Sequence, residues 1–559
     1  MEKILRIFTK ESGSINQAAL LLGSLTLLSQ ILALFRDRSI AHFIGPSPSL
    51  DAYYAAFRVP DLIFICIASL ASITVIIPFL IARMDGDKVT PEARKYLNDI
   101  FTVFFGLMVL VSLAAFFLMP RLISFIAPGF SPFYQEEVIM LSRIMLLSPI
   151  LLGLSNLFGT VTQLFRKFFI YSLSPIFYNL GIIAGVIFLY PFFGIYGLGL
   201  GVVFGALMHF GVQAIASRSC GFMPKFSFSI NFRDIKQAAL ISLPRTLGLT
   251  FNNIALISII AMASFLKSGS ISIFNLSLNL QSVPLNIIGI SYAVAAFPSL
   301  AKSFGGGQKD EFKKYLKTAG RAIVFWSLPV IFLFIVLRAQ IVRVILGSGS
   351  FSWNDTRLVA ASLAIFSVSI LAQGMIALLS RSYYAIGNTR RPLIVNLFSS
   401  VLIIILSYFL IYLFENVLLF RFFIESMLKV GDIPGTEVLM LPLAYSIGTI
   451  LNFVLHWVSV KKDFMPEESF ITKTFFQGLG ASFFLGLTAY LCLNILSPVF
   501  GTTTFWGIFL QGFISGIMGI AAAVLVLYLL GNEELKNLAQ ALTSKFWRAK
   551  IIAPAQEEL

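Results

Sequence analysis

The sequence has little charge, histidine or cysteine. Only 12% of its 559 residues are Asp, Glu, Lys or Arg, while 58% are hydrophobic and 57 are phenylalanine. Soluble globular chains carry about 25% charged residues, so that class is excluded. The cysteines Cys66, Cys220 and Cys492 and the histidines His42, His209 and His456 lie far apart. Neither set has the spacing of a metal site or a disulfide framework, so no metal is expected. Walker loops, HExxH, GxSxG and paired His–carboxylate arrangements are absent. An enzyme is therefore not expected, and neither is a nucleotide or other cofactor. Basic residues outnumber acidic ones, 41 to 26. They do not form a stripe interleaved with aromatics, so nucleic acid is not an expected partner.

What the sequence has in abundance is long apolar runs of about twenty residues, the length that crosses a bilayer as a helix. The apolar residues come in blocks rather than in alternation, which excludes a β-barrel. The expected fold is an all-α polytopic membrane protein of about fourteen transmembrane helices. These are placed at 17–43, 50–82, 99–127, 137–165, 169–190, 193–217, 235–265, 270–303, 316–346, 356–386, 391–414, 437–460, 471–497 and 503–531. Basic residues fall in alternate connections. They include Lys3, Arg6 and Lys10 at the start, Arg83, Lys88, Arg94 and Lys95 after the second run, and Arg166 and Lys167 after the fourth. Lys461 and Lys462 follow the twelfth, and Lys545, Arg548 and Lys550 lie in the tail. The intervening connections 44–50, 128–136, 191–192 and 498–502 contain neither Lys nor Arg. This alternation places both termini in the cytoplasm. The exception is 415–436, with Arg421 and Lys429.

A repeat is visible. SPIFYNLGII at 174–183 and RPLIVNLFSS at 391–400 share P-x-x-x-N-L, at Pro175/Asn179 and Pro392/Asn396. The pattern predicts two pseudo-symmetric six-helix lobes, 1–218 and 219–466, then a helix pair at 467–531 and a cytoplasmic tail at 532–559. The two halves would be parallel repeats.

Charges inside apolar runs are costly and mark partners or cavities. In the first run Ser29 and Arg36 share one helix face and Gln30 and Asp37 the next, while Arg38 points elsewhere. In the second, Asp51, Tyr54, Arg58 and Asp61 form a polar stripe. Asn275, Asn279, Ser282 and Asn286 repeat it in the eighth, and Ser242, Arg245 and Asn252 line the seventh, where Pro244 can kink the helix. A hydrated cavity with a cationic wall accounts for Arg36, Arg58 and Arg245 together, and its fitting ligand is a phosphate or pyrophosphate. Interhelical hydrogen bonding is the alternative for the Asn and Ser residues. The candidate substrate-binding residues are Arg36, Asp37, Asp51, Arg58, Asp61, Arg245, Asn252, Asn275 and Asn279.

SQILALFRDRSIAHFIGPSPSLDAYYAAFRVPDL at 29–62 resembles the opening signature of the MurJ (MviN) lipid II flippase family, roughly S-R-x-L-G-x-x-R-D, F-G, D-A-F-x-x-A-F-[RK]-x-P-N. APGF at 127–130 and SGSIS…FPSLAKSF at 268–304 are similar as well. The resemblance implies the multidrug/oligosaccharidyl-lipid/polysaccharide (MOP) exporter fold, with two lobes around a cavity and a final helix pair forming a groove for a polyprenyl tail. It implies a flippase in the bacterial inner membrane. That flippase would move lipid II, an undecaprenyl-diphosphate-linked precursor of peptidoglycan, from the inner to the outer leaflet by alternating access. It places the family's R-D on Arg36 and Asp37, its Asp on Asp51 and its basic residue on Arg58. Gln30, Phe64 and Asn279 stand where relatives carry arginine, Ile65 also stands at an arginine position, and Ser69 replaces a glutamate. The expected partners are the lipid-linked glycan and membrane lipids, with the chain a monomer. Energy would come from membrane potential or a cation gradient. The alternatives are a flippase for another polyprenyl-diphosphate-linked oligosaccharide and a drug/cation antiporter of the same fold.

Overall fold

Helix starts are written in proline and small hydroxyl residues. Ser47 accepts a hydrogen bond from Leu50 N, with Pro48 in the first turn. Thr90 does the same for Ala93 N ahead of Pro91. The side-chain oxygen satisfies an otherwise unpaired N–H, and proline occupies a position that needs no donor. The computed structural model describes residues 15–543, apart from 69–75, 77–78, 81–82, 85–89, 166, 221–222, 466–470 and 502–503. Lys3, Arg6, Lys10, Ser69, Lys88, Arg166, Lys545, Arg548 and Lys550 therefore lie outside the described residues.

Every regular element among the described residues is helical. In chain order these are α1 (Ile15–Phe43), α2 (Pro48–Ala56), α3 (Arg58–Ala68), α4 (Pro91–Ile126), α5 (Pro132–Met145), α6 (Leu147–Leu164), α7 (Phe168–Ala184), α8 (Tyr190–Phe193), α9 (Ile195–Ser219), α10 (Phe232–Ala263), α11 (Ser270–Pro284), α12 (Ser291–Gly305), α13 (Lys309–Val336), α14 (Arg338–Leu346), α15 (Trp353–Ser367), α16 (Ile370–Ala385), α17 (Arg390–Asn416), α18 (Leu418–Leu428), α19 (Met440–Phe464), α20 (Thr472–Phe500), α21 (Phe505–Leu529) and α22 (Glu533–Thr543). Wide π-helical turns at Gly185–Leu189 and Leu285–Ile290 follow α7 and α11, the second immediately after Pro284. Among the described residues eleven helical segments are long and apolar enough to cross a membrane. The pair α15 and α16, bent by 43°, brings the number to twelve. The first two expected crossings, α1 and the short pair α2–α3, are not among these; the second runs on into residues outside those described.

One compact unit comprises Met1–Val283, Ile345–Phe366 and Asn388–Asn452. Within it α9 packs on α6 and α7, and α7 packs on α1. Glycines allow the α7–α9 approach. A Cβ on Gly181 would stand 2.2 Å from Gly205 Cα, and one on Gly185 would stand 2.4 Å from Gly201 Cα. Such small-residue seams draw membrane helices together by dispersion between backbones. Gly181→Leu is expected to force the helices apart and cost about 1–3 kcal/mol or more. Thermal unfolding in detergent should show this as a lowered midpoint. Gly211→Leu on α9, where a Cβ meets nothing within 4 Å, should leave the midpoint unchanged.

Two interlocked layers complete this unit. In the first, Ser350 N donates to His42 O at 2.9 Å and Gly129 N to Ser264 Oγ at 2.9 Å. Gly349, at φ +58°, lies so close to the His42 carbonyl that a Cβ would stand 2.2 Å from it. In the second, the connection preceding α10 is strapped to α4. Asn98 Oδ1 accepts from Lys225 N at 2.8 Å, Thr102 Oγ1 from Ser227 N at 2.8 Å and Asp99 Oδ2 from Asn231 N at 3.1 Å. Arg83 pairs with Asp234 at 2.8 Å.

The same unit holds the exception in the basic-loop pattern. Arg421 on α18 pairs with the buried Glu425 at 3.0 Å, and Glu425 also accepts from Thr436 Oγ1 at 2.6 Å. Asp432 accepts from Arg357 at 2.7 Å, and this hydrogen bond holds its carboxyl below the usual carboxylate range. Arg421 is therefore matched by an acid of its own connection, while Asp432 of the same connection matches Arg357 on α15.

The second unit comprises Pro284–Val344, Ser367–Gly387 and Phe453–Leu559. Its core includes Phe312, Leu316, Ile323, Met375, Leu378 and Val460, with Tyr383 Oη donating to Asp463 at 2.7 Å. A further cluster joins Phe325 of α13 to Ala481 and Leu485 of α20 and to Ala523 and Leu527 of α21.

Candidate functional site

The densest polar arrangement inside an apolar helix of the first unit surrounds Arg36. Its Nε and Nη2 donate to Asp37 Oδ1 at 2.9 and 2.8 Å, and its Nη1 donates to Asn179 Oδ1 at 3.1 Å. The Asn179 amide in turn donates to Pro175 O at 3.1 Å and Ser29 Oγ at 3.4 Å. Asn179 thus bonds back to the carbonyl of the first residue of its own P-x-x-x-N motif, one turn earlier. Asp37 is 4% exposed and Arg36 21%. Of the five guanidinium N–H groups three are engaged, leaving one on each Nη. The arrangement pre-orients a planar, permanently charged fork, which suits the oxygens of a phosphate or diphosphate.

Arg58 forms a second fixed cation. Its Nη2 donates to Asn275 Oδ1 at 2.5 Å, and Asn275 Nδ2 donates to Ile271 O at 2.8 Å. The Arg58 Nε and the Tyr54 hydroxyl are buried and have no hydrogen-bond partner. Tyr54 packs beside Tyr53, with ring centroids 5.5 Å apart, one turn ahead of Arg58 along the chain. Unpaired buried polar atoms are rare and point to a ligand or water.

Asp51 stands apart from this pair. Its Oδ2 accepts from Gly269 N at 2.6 Å, and its Oδ1 accepts from Ser272 N at 2.7 Å and Ser272 Oγ at 2.6 Å. Both carboxylate oxygens therefore cap the first turn of α11, where unpaired N–H groups and the positive end of the helix dipole favour an anion. The stripe read from Asp51 to Asp61 is split at Phe57, which ends α2. Asp51 and Arg58 nonetheless grip the same helix, α11, at its start and one turn further on.

Asp61 and Asn252 are exposed and Asn279 is half-buried, and no hydrogen bond links the three. Arg245 lies on α10, but its side chain is outside the described residues. Arg38 donates to Ile345 O at 3.1 Å, away from the Arg36 cluster. Asn179 was not among the expected site residues. The signal that could have found Asn179 is the repeat motif itself. Asn396, at the matching place in the second copy of the motif, accepts from Asn452 at 3.1 Å instead of from an arginine.

Fold and site together define a class. The fold is one found in solved membrane proteins, among them a transporter described as belonging to the MOP superfamily. It is shared with a solved multidrug-resistance MATE-family transporter in an inward-facing conformation (TM-score 0.63, 15% identity, 79% of this chain and 96% of that one). It is also shared with a solved lipid II flippase MurJ in an inward closed conformation (TM-score 0.72, 22% identity, 91% and 99%). The sequence model of the lipid II flippase MurJ family matches residues 40–511, and the chain belongs to that family. A probable lipid II flippase MurJ from Buchnera aphidicola subsp. Acyrthosiphon pisum is 29% identical over 398 residues, covering 70% of this chain and 77% of the relative. Another from Rhizobium tropici is 26% identical, covering 66% and 71%.

Proposed function

We propose that this chain is a flippase for lipid II, carrying its headgroup from the inner to the outer leaflet of the bacterial inner membrane by alternating access. The observation that carries this reading is Arg36. It is a guanidinium held by Asp37 and Asn179 within an apolar helix, with N–H groups to spare. The diphosphate of the lipid docks on Arg36 and Arg58. A phosphate oxygen competes with Asn275 for the Arg58 Nη2, so binding loosens one of the two grips on α11. Release of the second, at Asp51, opens the face away from the basic loops. In this reading the lobes 1–218 and 219–466 rock about the site, and the undecaprenyl tail rests along α20 and α21. Both termini are cytoplasmic, the chain works as a monomer, and membrane potential or a cation gradient drives the cycle.

The test is transport by the purified full-length chain in vesicles, with lipid II and a second polyprenyl-diphosphate oligosaccharide offered separately. Translocation of lipid II, and rescue of cells depleted of their own lipid II flippase, are the expected results. Movement of the other lipid alone would overturn the substrate assignment.

A further inference from the structure

The first three turns of α13 carry an unusual charge row. Lys309, Lys313, Lys317 and Arg321 stand at successive i+4 positions, so neighbours on one face repel one another. The adjoining face, with Phe312, Leu316 and Ile323, is buried in the core of the second unit, so the row is held in place by packing. A groove of about 300 Å³ runs along it, lined by Asp310, Lys313, Lys314, Lys317, Thr318 and Arg321. Asp310 counters Lys313 only at 3.8 Å. At the upper end Arg321 and Lys473 share one carboxylate, Glu533, each at 3.4 Å. Directly beyond Arg321 the helix becomes apolar through Val336. The upper turn of the row therefore sits where lipid headgroups meet water. A row of cations at that level, whose end shares the exposed Glu533 carboxylate at 3.4 Å with Lys473, suits a phosphate attached to an acyl tail.

We propose that this groove binds the phosphate-bearing headgroup of an anionic phospholipid in the leaflet facing the basic loops. The phosphate takes the place of Glu533 on Arg321 and Lys473, so lipid occupancy and the anchoring of α22 compete. The assignment rests on the orientation proposed above and not on the transported substrate.

The experiment is native mass spectrometry of the full-length chain titrated with phosphatidylglycerol or phosphatidylcholine. The wild type should retain phosphatidylglycerol preferentially. The triple variant Lys313→Gln/Lys317→Gln/Arg321→Gln should weaken that retention by roughly tenfold or more. Glu533→Gln, which removes the competing carboxylate and needs no loss of signal to be read, should strengthen it, while Glu534→Gln should not. Lys225→Gln/Lys461→Gln/Lys462→Gln removes the same charge from exposed positions elsewhere. An equal effect from this control would show general attraction only and overturn the site. Competition by inorganic pyrophosphate as effective as that by the lipid would overturn the lipid assignment. Because occupancy is read rather than transport, failure of the flippase reading leaves this result interpretable.

Discussion

Arg36→Ala is expected to abolish lipid II translocation, lowering the rate by about 100-fold or more. The substitution removes two unengaged N–H groups and one full charge from the proposed diphosphate position. Hydrogen bonds to charged groups are worth about 1.5–3 kcal/mol each, and each 1.36 kcal/mol is a factor of ten. Arg36→Lys should recover little, because an ammonium cannot bridge Asp37, Asn179 and a phosphate together as the planar fork does. The single alanine variant also leaves Asp37, 4% exposed, without its cation, which is itself destabilising. The double variant Arg36→Ala/Asp37→Ala removes that complication. It should insert and unfold like the wild type yet remain inactive in the vesicle assay. Retained transport in the double variant would remove Arg36 from the site.

Asp51→Ala should change conformation more than binding. It deletes three charge-assisted hydrogen bonds to the start of α11 and leaves the Gly269 and Ser272 N–H groups without their acceptor. At about 1.5–3 kcal/mol for each bond, the loss approaches the ~5.5 kcal/mol that moves a two-state equilibrium from 99:1 to 1:99. Ile271 is fully buried in this conformation. In a background lacking Cys66, Cys220 and Cys492, an Ile271→Cys reporter should react with a membrane-impermeant maleimide at least tenfold faster once Asp51 is alanine. Asp51→Asn keeps one acceptor oxygen but not the charge, and should fall between. Unchanged labelling would mean that the cap holds only its own helix and not the closed face.

The two predictions differ in how they could be reached. Arg36 and Asp37 stand out in the sequence because three consecutive charges interrupt an apolar run, and the cost of burying charge makes such residues conspicuous wherever the fold puts them. The helical class follows as directly, since a bilayer requires every backbone group to be paired within its own segment. The division of polar labour does not. Asp51 looks like a cavity acid from its spacing to Arg58, but its partners, Gly269 and Ser272, lie more than two hundred residues away along the chain. Asn179 reads as a packing residue of a repeat until α7 sets it against Arg36.

The sequence by itself thus determined the membrane class and the family, and it singled out Arg36 and Arg58 as cations set inside apolar runs. Each depends on local composition, motif or spacing along one helix. Tertiary structure alone decided that Asp37 and Asn179 orient Arg36, that Asp51 caps a distant helix and that Arg58 is tied to Asn275. A hydrogen bond needs its partner within about 3 Å, and only the packing of α1, α2, α3, α7 and α11 brings those partners within reach.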